Sequence, residues 1–121
     1  MITFKIKNRN SPDLETVSID KALSKIPKMI KFYGNDRTKE AVIVSYFYSK
    51  NRSMTQYFVE EILKHDTVVT YEQKKAETFL IKCQYFDIPL VAKEIENHLE
   101  KINHIAQNYE CSFANWKINT Y

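Results

Sequence analysis

The spacing of apolar residues changes several times along the chain, and each change marks an element. Ile2, Phe4 and Ile6 alternate with Thr3, Lys5 and Lys7, the period of a half-buried strand. Residues 8–13 (Asn-Arg-Asn-Ser-Pro-Asp) have turn chemistry. Residues 14–19 are predicted to pair back as the second arm of a hairpin, with Val17 and Ile19 on one face. Asp20 is placed to cap a helix carrying Leu23, Ile26, Ile30 and Phe32/Tyr33. Pro27 inside that pattern predicts a late start, a kink or a break. Gly34 suits the position just past the helix end.

The dense β-branched and aromatic run 41–48 predicts a central strand. Ser53 and Gln56 have the spacing of a capping box, and Phe58, Val59, Ile62 and Leu63 form the buried stripe of a helix ending near His65. A short strand over 67–71 and a polar turn over 72–76 follow. In the strand 78–86, Phe79, Ile81, Cys83 and Tyr85 share one face, while Lys82 and Gln84 mark the other. Pro89 suits the first turn of a helix, whose inner stripe is Val91, Ile95, Leu99, Ile102, Ala106 and Tyr109. Residues 111–118 close the chain's pattern as a strand in which Cys111 and Phe113 recur at strand spacing. From Ala41 onward the order is β-α-β-β-α-β. The expectation is an α+β fold of ferredoxin-like, split β-α-β type, with both helices on one face of the sheet. Residues 1–121 read as a single domain, with 41–121 as its core and 1–40 as an N-terminal hairpin and helix extension. That extension is free to cover the other face, extend an edge or support a dimer.

Composition narrows the chemistry. One glycine in 121 residues removes most phosphate-binding loops, which need several. It also removes the glycine-rich cradle of acylphosphatase-type chemistry. Residues 1–40 hold nine Lys/Arg against five Asp/Glu, and the remainder is nearly balanced. A basic third of that kind suits an acidic partner or a phosphate backbone. Its plainer reading is a solubilising surface, and arginine is scarce (Arg9, Arg37, Arg52), so direct nucleic-acid binding is not expected. The strand 78–86 also lacks the glycines of an RNA-recognition motif. Such a module stays open as an alternative, with Tyr46, Tyr48, Phe86 and Trp116 as stacking surfaces.

Cys83 and Cys111 lie in apolar runs without metal-ligand spacing, and read as reduced, buried thiols of a cytoplasmic protein. Residues 1–5 alternate and carry charge, unlike a signal peptide, and no apolar run is long enough to span a bilayer. His65, His98 and His104 read as solvated; the last two sit about 120° apart around one helix and are poorly placed to share a metal. Glu94, Glu96 and Glu100 lie among lysines on the outer side of that helix. No serine or cysteine has a recognisable partner base. Neither a catalytic site, a metal nor a cofactor is expected, and an unfamiliar enzyme would need a pocket gathering a histidine and a carboxylate.

The stretch 97–116 runs from an amphipathic helix (Leu99, Ile102, Ala106, Tyr109) with almost no loop into a strand with Phe113 and Trp116. This spacing, together with the element order over 41–116, resembles the family known as regulator of ribonuclease E activity B. The resemblance implies a protein without catalytic machinery that inhibits a ribonuclease by steric association. Two features differ from that family: Ala114-Asn115 stands where an acidic residue and glycine are usual, and the chain is mildly basic where well-known members are strongly acidic. An immunity protein that neutralises a toxin nuclease between competing bacteria is the alternative. Either way the partner is expected to be a protein, with no membrane involved and the oligomeric state left open. Its contacts are expected at aromatics near the strand ends, Tyr46, Tyr48, Trp116 and Tyr121, and at Lys74 and Lys75 in the turn.

Overall fold

The structure, a computed structural model, describes residues 2–6, 15–32, 40–65, 67–75 and 77–120. The β-branched and aromatic run forms β2, Glu40–Ser49, an interior strand of the sheet but not the middle one of its five. The other strands are β1 (Ile2–Ile6), β3 (Thr67–Lys75), β4 (Thr78–Pro89) and β5 (Ser112–Thr120). The helices are α1 (Ile19–Ser24), α2 (Ile26–Phe32), α3 (Arg52–Ile62) and α4 (Ala92–Asn108). The fold is α+β. One sheet runs in the order β1-β3-β4-β2-β5. Neighbours are antiparallel except β1, which lies parallel to β3. From β2 the element order is β-α-β-β-α-β.

Successive residues of a strand face opposite sides. The odd positions of β2 (Ala41, Ile43, Ser45, Phe47, Ser49) are all buried, and the helices pack on that side in two clusters. Under α3 and the second half of α4, Phe47 meets Phe58 and Phe113 edge-on at 5.1 and 5.7 Å between centroids, with Ile62, Ile81 and Ile102 around them. Under the first half of α4, Ile43, Leu99, Trp116 and Ile118 pack with Ala22, Ile26 and Ile30 of α1 and α2. The N-terminal helices therefore join the same core and do not cover the sheet's other face.

Several expectations are corrected. Residues 15–18 belong to no strand, so β1 does not pair with them in a hairpin; it extends the edge of the sheet beside β3. Val17 N–H instead donates to Ala114 O at 2.8 Å, and the Val17 and Ile19 side chains join the second cluster. Ser18, not Asp20, caps α1, accepting from Lys21 N–H at 3.1 Å, and Asp20 lies in the first turn, where a carboxylate suits the helix dipole. The helix breaks at Lys25, ahead of Pro27. Asn51, not Ser53, caps α3, accepting from Met54 N–H at 3.0 Å.

The polar segment 72–75 continues β3, because its backbone keeps pairing with β4 (Glu72 with Leu80, Gln73 with Phe79). Pro89 ends β4, and α4 starts at Ala92 after Val91, which supplies no side-chain cap. The turn at 8–13, Leu14, Tyr33, Gly34 and Ala76 lie outside the described residues.

After α4, Cys111 N–H donates to Ala106 O (2.9 Å) and Glu110 N–H to Gln107 O (3.2 Å), a Schellman ending. It requires a left-handed residue, and Glu110 takes that position with φ 57°. A side chain with a Cβ is strained there. Glu110→Gly is expected to raise stability by about 0.5–1 kcal/mol, read as a higher urea midpoint with an unchanged denaturant slope.

Candidate protein-binding face

The even positions of β2, from Val42 to Tyr48, point away from the helices, and no helix residue shares a core cluster with them. Val42 and Val44 are buried, whereas Tyr46 and Tyr48 are half-exposed. Tyr46 stands in register between Lys82 of β4 and Asn115 of β5, and Tyr48 between Leu80 and Ser112. The Lys117 ammonium lies 5.9 Å from the centre of the Tyr46 ring, a cation–π contact. Two half-exposed tyrosines thus lie side by side on the face turned away from the described helices, bordered by two lysines. Glu72, on the same face of β3, is paired with Lys74 at 3.5 Å.

A bulge in β5 sets which side chains reach this face. Tyr46 pairs with Asn115 but Phe47 pairs with Phe113, so Ala114 is the extra residue. Phe113 and Trp116, three apart, would face opposite sides of a regular strand; the bulge turns both into the core. Trp116 is only 6 % exposed, which corrects its expected place as an exposed partner contact. Asn115 holds the irregularity in place. Its Oδ1 accepts from Trp116 N–H (2.8 Å) and its Nδ2 donates to Glu15 O (3.0 Å), fastening the segment before α1 to the sheet edge.

Of the other expected contacts, Lys74 lies in β3 and not in a turn, with its side chain 9 % exposed and engaged by Glu72. Lys75 is exposed at the end of β3. Tyr121 lies outside the described residues. The structure therefore brings Tyr46 and Tyr48 together, turns Trp116 into the core, and places Lys74 and Lys75 on β3, two strands away. It adds Lys82 and Lys117. The outward alternation of Lys82 was visible in the sequence, whereas Lys117 becomes an outer residue only once the bulge is known.

His98 is also corrected, since it is not a solvated histidine. Its ring meets Tyr85 edge-on at 4.3 Å, and its Nε2 is buried with no hydrogen-bond partner among the described residues. The Tyr85 hydroxyl beside it is likewise buried without a partner. Burial, aided by the Lys101 charge, lowers the His98 pKa to about 4. Burial pushes both cysteine thiols up, Cys111 to about 11, so they stay protonated and are poor nucleophiles. Among the described residues no group of three His, Cys, Asp or Glu side chains is arranged to hold a metal. No described helix is long and apolar enough to cross a membrane. Compared with known proteins, the chain matches no family model and no curated sequence.

The His98 environment gives stability a sign with pH. Its folded pKa, about 4, lies below the ordinary 6.5, so the neutral ring's contribution is whole above pH 6.5 and is lost as pH falls toward 4. Urea unfolding at pH 7.5 and 4.5 is expected to show a loss of about 2–3 kcal/mol from this group. His98→Leu, which carries no buried proton acceptor, should show a correspondingly smaller acid loss.

Proposed function

We propose that the protein is a non-enzymatic, cytoplasmic regulator that inhibits a ribonuclease by binding it and obstructing its working surface. The half-exposed Tyr46 and Tyr48, side by side on the sheet face turned away from the described helices, are the observation that carries this reading. Tyrosine offers a large, stiff contact area with a polar tip, and it is enriched where protein interfaces are strongest. Lys82 and Lys117 beside it form a polar rim complementary to the carboxylates that nucleases use to bind their metal ions. Such a face is held by its sheet, so little conformational entropy is lost on docking.

The finer architecture belongs to the same proposal. We read β2 to β5 as a ferredoxin-like domain. In support, the two strands joined through α3 have β4 between them, and the two joined through α4 have β2 between them. The ribonuclease as target is supported by the resemblance of the 97–116 spacing to regulators of ribonuclease E. A toxin nuclease is the other target of the same chemistry.

The test is cleavage of a fluorogenic RNA by a purified ribonuclease E-type endonuclease with increasing amounts of this protein. Saturable inhibition is expected. Tyr46→Ala combined with Tyr48→Ala should raise the half-inhibitory concentration about thirtyfold, equivalent to about 2 kcal/mol, while leaving the far-ultraviolet circular dichroism unchanged. If neither this enzyme nor any nuclease captured from the source cell is slowed, the reading fails.

A further inference from the structure

The basic surplus of the N-terminal third contains one organised feature. Lys21, Lys25, Lys28 and Lys31 follow at intervals of four, three and three, and all four are exposed. On the opposite side of the same stretch, Ala22, Ile26 and Ile30 are buried in the core beneath α4. The helical backbone conformation carries across the junction of α1 and α2. Lys25 keeps helical backbone angles (φ −91°, ψ −6°), and Met29 N–H donates to Lys25 O across the junction at 3.0 Å. The four lysines therefore share one side of this stretch and form a ridge about 15 Å long at about 1.5 Å per residue. The two helices contain a single carboxylate, Asp20. At the far end of the ridge stands Phe32, 83 % exposed.

We propose that this ridge binds the phosphodiester backbone of single-stranded RNA. Lysine is a compact point charge that serves phosphate well without demanding a fixed approach angle. A row of four faces several consecutive phosphates, and neutralising them releases their counterions. Phe32 presents an aromatic side chain where a base can stack. The features argue against two other anionic partners. Lysine is depleted at protein–protein contacts, and this patch has no aromatic or arginine anchor at its centre. A lipid surface needs an apolar helix face to enter it, and here that face is already spent on the core. The inference stands apart from the nuclease reading, since the ridge and the tyrosine face are different surfaces of the chain.

Fluorescence anisotropy of labelled oligo-uridylate with the full chain, between about 50 and 200 mM salt, tests it. The wild type should bind with an affinity that falls steeply as salt rises. Replacing Lys21, Lys25, Lys28 and Lys31 by Gln should weaken binding at the lowest salt by at least about tenfold and reduce the slope of log affinity against log salt by about 3. The same four positions changed to Arg should restore both. Lys82→Gln with Lys117→Gln should leave both unchanged. Circular dichroism and thermal unfolding should match in all variants, because the substituted side chains are exposed. Absence of oligo-uridylate binding by the wild type overturns the proposal. So does loss caused by the sheet-face pair and not by the ridge, or binding to phosphatidylglycerol vesicles without binding to RNA. No inhibition of a nuclease together with ridge-dependent RNA binding would leave this proposal standing and remove the other.

Discussion

The packing of one side of β2 against helices is the constraint on which the rest depends. Five alternate residues of that strand are buried, and both apolar clusters are built on them. A strand has only two sides, so burying one of them commits the other to solvent, to neighbouring side chains or to a partner. The neighbours of β2 then have to present their own large apolar residues to the same side. Each does so with an irregularity. In β5 the extra residue is Ala114; in β4 the register shifts between Tyr85 and Ile88, and Asp87 adopts φ 59°. Asp tolerates that left-handed backbone better than most residues. These two interruptions bring Phe113 with Trp116, and Tyr85 with Ile88, to the helix side.

They also explain what could and could not be read beforehand. The strongly periodic elements were legible: the run at 41–48, the stripe from Ile95 to Ala106 and the alternation from Phe79 to Tyr85 all lie where the pattern put them. Periodicity fails where a single residue is inserted into the count. Counting in twos from Cys111 and Phe113 places Trp116 on the outer face, and only the bulge reverses it. The N-terminal strand was legible, but its partner was not, because a parallel pairing between residues as distant as Ile2 and Val69 leaves no local trace. Caps were missed by small offsets, Asn51 in place of Ser53 and Ser18 in place of Asp20, since several capping residues stand side by side and geometry chooses among them.

The surface divides its chemistry in a similar way. Tyr46 and Tyr48 could be singled out as aromatic residues of an alternating strand, and both are half-exposed, unlike Val42 and Val44 on the same side. The lysine ridge was present in the sequence only as a charge surplus over forty residues. Its order comes from the burial of Ala22, Ile26 and Ile30, which leaves one side of two short helices to lysine. His98 went the other way. Its type suggested solvent, yet its place beside the core stripe of α4 brings it against Tyr85.

The parallel attachment of β1 has a bearing on how the molecule assembles. Until Ile2–Ile6 docks, β3 is a nine-residue strand with one row of backbone groups unclaimed. Closing a loop between such distant positions comes late compared with the adjoining β3–β4 hairpin. A refolding chain thus passes through a period in which its most vulnerable border is bare to other copies. Once docked, Ile2–Ile6 trims that border from nine residues to five, a narrower hem for another chain to be stitched onto.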